Sequence, residues 1–148
     1  KAVDFAVLTP DGTVALVELK DFRDHETENR GRITGGELAQ EVADKVRDSL
    51  AGMTWACKRP HSDRDIERVT GGFYRRDTPK LLVILWLDRN DKAGAAEAAI
   101  LTGEIRKRLR PHIVARVVVT SLKLKDATFQ DPQFGWIDAK SLPRRRSP

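Results

Sequence analysis

Two stretches near the start of the chain, 2–9 (AVDFAVLT) and 13–20 (TVALVELK), carry the dense apolar pattern of strands. Both are rich in Val, Leu and Phe, side chains that fit a pleated, largely buried surface. Between them, Pro10-Asp11-Gly12 supplies turn chemistry: Pro is pre-set for the first turn position and Gly is free to take positive φ. A three-residue loop ending in a glycine bulge pairs Thr9 with Thr13, so residues facing each other sum to 22. Asp4 then lies across from Glu18, and Ala2 across from Lys20. A two-residue loop, Asp11-Gly12, instead pairs Asp4 with Leu19 and turns it to the other face.

Alternation with period two puts Asp4, Glu18 and Lys20 on one face, together with Ala6, Leu8, Val14 and Leu16. The other face holds Val3, Phe5, Val7, Ala15, Val17 and Leu19. A sheet apolar on both sides is expected to be covered on both sides. Two acids and a lysine inside it are costly unless paired or bound to a metal. Opposed Cβ atoms lie about 4.5–5.5 Å apart, near enough for two carboxylates to share one cation. The alternative is a solvated hairpin face with a cross-strand salt bridge.

After Lys20 the pattern breaks. Asp21 to Arg32 is polar without periodicity and predicts a loop, in which His25 is either solvated or a ligand. Thr34-Gly35-Gly36-Glu37 opens a helix with Thr34 as its cap. Leu38, Val42, Val46, Leu50 and Met53, joined by Ala39 and Ala43, form its apolar stripe. Its polar face carries Glu37, Gln40, Glu41, Asp44 and Lys45, with Glu41–Lys45 as an i,i+4 pair. Residues 54–80 hold seven Lys/Arg against four Asp/Glu, with Trp55, Phe73 and Tyr74 interspersed and Gly71-Gly72 as a break. Ser62 to Asp65 can cap a short helix through Val69.

Lys80 to Asp88 (KLLVILWLD) is a continuous apolar run and predicts a fully buried strand. A helix follows from about Ala93 to Arg110, its apolar side read as Ala96, Ala99, Ile100, Gly103 and Leu109, with Pro111 as the stop. Ile113 to Thr120 is another strand, and Phe134 to Ile137 is read as an edge strand. Residues 140–148 form a basic tail that reads as disordered, so the domain is placed at 1–139. The order strand, strand, helix, strand, helix, strand makes an α/β fold on a mixed sheet flanked by helices. It is not a doubly wound nucleotide fold, because no glycine-rich phosphate loop follows any strand.

Composition narrows the class. A chain of 148 residues is one domain by length, and 33% charged residues is ordinary for a soluble protein. No run of eighteen apolar residues and no signal pattern point to a membrane or to secretion. The single cysteine, Cys57, excludes an internal disulfide and fits a reducing cytoplasm. Cys57 and His61 have metal-like spacing, but no second pair completes a zinc site. A net charge of +5 is a mild attraction for polyanions.

Asp4, followed across the hairpin by Glu18-Leu19-Lys20, resembles the signature of the PD-(D/E)xK nuclease superfamily, whose core is restriction-endonuclease-like. The resemblance spans residues 1 to about 88, with Val3 where the motif has Pro. It implies that the family's leading helix and first meander strand are missing from this sequence. It also implies a metal-dependent nuclease, with DNA the expected substrate over RNA. Asp4 and Glu18, with the Leu19 carbonyl, would bind Mg²⁺ or Mn²⁺, and Lys20 would orient the water or stabilise developing charge. Glu37, Gln40 and Asp44 are candidate contributors from the second core helix. Arg59, Arg64, Arg75 and Arg76 are candidate nucleic-acid contacts in the basic, aromatic-bearing segment. A homodimer is compatible with the resemblance. The rival readings are a catalytically inactive nuclease-like module that binds nucleic acid or a partner, and an unrelated α/β domain with a structural ion-pair network.

Overall fold

The fold is seen in a computed structural model, which describes residues 1–23, 26–59, 63–74, 80–89, 95–110, 113, 115–121 and 124. Strands β1 (Phe5–Leu8) and β2 (Val14–Asp21) form the expected hairpin. Helices α1 (Glu26–Thr34), α2 (Glu37–Cys57) and α3 (Arg64–Tyr74) lead to β3 (Leu81–Asp88). Helix α4 (Ala95–Leu109) and strand β4 (Arg116–Thr120) complete the described elements. The four strands lie in the order β1-β2-β3-β4, with β1 antiparallel to β2 and both remaining pairs parallel. The molecule is therefore an α/β fold on a mixed open sheet flanked by four helices. Among the described residues no helix is long and apolar enough to cross a membrane.

The hairpin has the register that a three-residue loop dictates: Phe5 faces Val17, and Leu8 faces Val14. Gly12 takes φ 77°, its N–H donates to the Thr9 carbonyl at 2.8 Å, and Thr9 N–H donates to the Thr13 carbonyl at 2.9 Å. The Asp11 carboxylate accepts from the hydroxyls of Thr9 and Thr13, and those bonds hold its pKa below the usual carboxylate value. Only glycine meets the positive φ at the bulge without strain.

The core lies on the even face of β2. Val14 and Leu16 pack there with Leu81, Val83, Leu85 and Leu87 of β3, Val117 and Val119 of β4, and side chains from all four helices. Both faces were expected to be covered. The opposite face is buried too: Ala15, Leu82 and Ile84 lie there with Val7, Val17 and Val118 packed against them, a cluster made of sheet residues among the described ones. At its margin Phe5 and Leu19 are exposed.

Several expectations need correction. The segment read as a loop after Lys20 contains α1, a helix without an apolar stripe. Tertiary contacts hold it instead. Ile33 and Phe22 enter the core, the Arg32 guanidinium lies 5.8 Å over the Phe22 ring, and Asn29 is buried. Thr34 does not cap α2. It ends α1, its hydroxyl donating to the carbonyls of Arg30 and Gly31. The N-cap is Gly36 at φ 79°, without a side-chain bond. Gly71-Gly72 does not break a helix but lies inside α3, where a Cβ on Gly72 would come within 2.6 Å of the Leu8 side chain.

Helix α4 also presents a different face. Leu101, Ile105 and Leu109, spaced by four, are buried, while Ile100 is 67% exposed and Ala96, Ala99 and Gly103 are exposed. His25, His61, Phe134 to Ile137 and the 140–148 tail lie outside the described residues.

Candidate active site on strand β2 and helix α2

Strand β2 starts as an apolar strand and ends as a charged one, with Glu18 and Lys20 continuing the even face that Val14 and Leu16 begin. Glu18 is 1% exposed. Such a carboxylate persists only with compensating charge. Its Oε1 accepts from the Lys20 ammonium at 2.9 Å and from the Lys45 ammonium, on α2, at 2.6 Å. Its Oε2 is buried and has no hydrogen-bond partner among the described residues.

Lys20 is held a second time, by Glu41 Oε1 at 2.6 Å, and Glu41 Oε2 is bound by Arg32 of α1 at 2.7 Å. The five side chains form one chain of alternating charge, Arg32–Glu41–Lys20–Glu18–Lys45. Burial alone would lower the Lys20 pKa, but the hydrogen bonds and charges of Glu41 and Glu18 outweigh it and raise the value. For Glu41, burial works against the charge. The bond from Lys20 and the charges of Lys20, Arg32 and Lys45 prevail and hold its pKa below the usual 4.5.

Asp4 sits just before β1 and is exposed. Its Oδ2 accepts the Leu19 N–H at 2.8 Å. Had the hairpin ladder continued with its period of two, that amide would have bonded the Val3 carbonyl. The Asp4 carboxylate stands in for it, while Val3 N–H turns away to Ser49 Oγ of α2 at 2.9 Å. Asp4 thus ends the strand and places its carboxylate beside the Glu18–Leu19 peptide. Leu19 faces Trp86 in the β2/β3 register.

Beside this network the polar side of α2 forms one wall of an open groove of about 530 Å³, lined by Glu37, Gln40, Glu41, Asp44, Lys45 and Asp48 with Lys1. Glu37, Gln40 and Asp44 are exposed, and the Gln40 amide donates to Asp44 Oδ1 at 3.0 Å. The α2 side chains that reach β2 are Glu41 and Lys45, which the sequence reading left as a surface pair. Their signal was legible for Lys45. It stands three residues after Val42, seven after Leu38 and four before Ser49, and so lies at the edge of the apolar stripe. Arg32 carried no such signal, because α1 itself was not predicted.

The nucleic-acid candidates lie elsewhere. The Arg59 guanidinium covers the exposed Trp55 ring at 4.4 Å, and Arg64 is exposed at the start of α3. Trp55 is about 15 Å along α2 from Lys45, at 1.5 Å per residue. Phe73 packs against the core, while Tyr74 is 39% exposed. Arg75 and Arg76 lie outside the described residues.

The donor set suits a hard cation in one respect: Glu18 Oε2 is a buried carboxylate oxygen that no described residue satisfies. Among the described residues no group of three or more His, Cys, Asp and Glu side chains converges as a metal cluster. A cation at Glu18 would therefore take most of its shell from water and substrate oxygen, as Mg²⁺ does. No family model matches the chain, and no curated protein or solved structure matches it.

Proposed function

We propose that the chain is a metal-dependent nuclease with a restriction-endonuclease-like core, hydrolysing phosphodiester bonds in nucleic acid, DNA in preference to RNA. The observation that carries this reading is Glu18: a carboxylate 1% exposed, with one oxygen unpartnered, two residues before a lysine on the same strand face. Asp4 supplies a second carboxylate beside the Leu19 amide, and the groove along α2 is lined by Glu41 and Lys45, the partners of Lys20 and Glu18.

Glu18 and Asp4, with the Leu19 carbonyl, would hold Mg²⁺ or Mn²⁺, which supplies charge neutralisation and a lowered pKa for the attacking water. Lys20, held by Glu18 and Glu41, would orient the attacking water or stabilise the developing negative charge. Glu41, gripped by Arg32, keeps that ammonium at the end of β2.

The test is cleavage of plasmid, linear and single-stranded DNA in Mg²⁺ or Mn²⁺ by wild type, Asp4→Asn, Glu18→Ala and Lys20→Met. Metal-dependent cutting that falls by about 10²-fold or more in each variant is the expected result, the scale of losing one group that stabilises transition-state charge. Asp4→Asn keeps an acceptor for Leu19 N–H, so its loss of activity would not be a loss of fold. DNA retained on a gel without cutting would replace the enzyme by a non-catalytic binder. Neither cutting nor retention would remove nucleic acid from the reading.

A further inference from the structure

We infer that Lys45 is the resident counterion of the cation site: it holds Glu18 in the metal-free protein and leaves Glu18 when a divalent cation binds. The inference rests on the nuclease reading for the cation and adds a positioning residue that the (D/E)xK pattern does not contain.

Three observations converge on Lys45. First, Lys45 stands at the edge of the apolar stripe of α2, where the stripe meets the polar face. Its ammonium reaches across to β2 and ends 2.6 Å from Glu18 Oε1. Second, that oxygen already accepts from Lys20, so one carboxylate oxygen carries two ammonium groups while Oε2 carries none. A dication drawn to Oε2 would make three cationic centres on one carboxylate, an arrangement that like-charge repulsion opposes.

Third, the two lysines are not equally held. Lys20 is tied to Glu41, which is itself fixed by Arg32. Lys45 has Glu18 as its ion-pair partner among the described residues, and it lines the groove. Glu41 lies four residues before it and Asp48 three residues after, spacings at which helix side chains meet. Both acids line the same groove, so an ammonium released from Glu18 has carboxylates to receive it without breaking α2. Lys45 is therefore the group that moves, and Lys20 the one that stays.

The test uses Mn²⁺ alone, with the full chain, and reads binding by electron paramagnetic resonance and by calorimetry, so that it does not depend on cleavage. Wild type, Lys45→Met, Lys45→Gln and Glu18→Gln are compared, with circular dichroism as the check on folding. Removing the competing charge is expected to tighten Mn²⁺ binding by about tenfold in both Lys45 variants, the effect of one close like charge. Glu18→Gln is expected to abolish binding. Lys45→Gln keeps a hydrogen-bond donor for Glu18, and so serves if the methionine variant does not fold. Unchanged or weaker Mn²⁺ binding in the folded Lys45 variants overturns the counterion role, and leaves the nuclease reading standing if wild type still binds Mn²⁺ and cuts. A wild type that binds no Mn²⁺, with variants that bind none, overturns both.

Discussion

Glu41 shows how far one side chain on α2 reaches into the chemistry of β2. Its folded-state pKa lies below the ordinary 4.5, so the unfolded chain binds more protons over that range, and its contribution to stability grows with pH. That contribution is complete above 4.5 and is lost as the pH falls through the folded value. Lys20 has the opposite sign. Its raised pKa gives stability that is complete below the ordinary lysine value of 10.5 and is lost as the pH rises through the folded value. The expected outcome for Glu41→Gln is a thermal midpoint that changes less than that of wild type between about pH 3 and 6. Its alkaline decline should also be shallower, because Lys20 has lost one of the two carboxylates that raise its pKa. Melts followed by circular dichroism across pH check both limbs. The shared face of Glu18 and Lys20 was legible in the sequence, since Pro10-Asp11-Gly12 dictates the hairpin register. Asp4, expected across from Glu18, lies before β1 and outside the paired residues. Arg32 and Glu41 were not legible, because their roles depend on where α1 and α2 land on the sheet, which no local pattern encodes.

At the scale of elements, β2, β3 and the stripe of α2 announce themselves through long apolar patterns that only one kind of burial explains. Helix α4 does not. Its alanines allow more than one apolar side to be drawn, and Ile100 tempts the eye to the wrong one. Leu101, Ile105 and Leu109 are the residues in the core, with Ile105 fully buried. Ile105→Ala is therefore expected to cost about 2–5 kcal/mol, whereas Ile100→Ala stays within about 0.5 kcal/mol. Urea unfolding with matched m-values separates the two. Helix α1 was hidden for the converse reason. Its sequence has no stripe, and it is held by one aliphatic side chain, a ring beneath a guanidinium and a buried amide.

Over the whole molecule the charge is unevenly spread. The chain carries +5, yet the α2 groove is lined by Glu37, Glu41, Asp44 and Asp48 against Lys1 and Lys45. Attraction for a polyanion must then come from other surfaces, among them the end of α2 where Arg59 lies over Trp55. For a chain that binds DNA, Arg59→Ala is expected to lower the slope of log affinity against log salt by about one, and Gln40→Ala to leave it unchanged. Filter binding over a salt series reads this directly. The α/β class and the mixed sheet were legible from the alternation of elements. The gathering of the described helices on the even face of β2 was not, because an apolar strand face looks the same whatever covers it.

The docking of α2 also couples two properties of Glu18. The β1–β2 hairpin is closed within itself, by Asp11 at the turn and by Asp4 on the Leu19 amide at the open end. Helix α2 carries both Leu38, Val42 and Val46, which cover the even face, and Lys45, which reaches Glu18. A change that lifts α2 from the sheet therefore wets this carboxylate and removes one of its ammonium partners in the same movement.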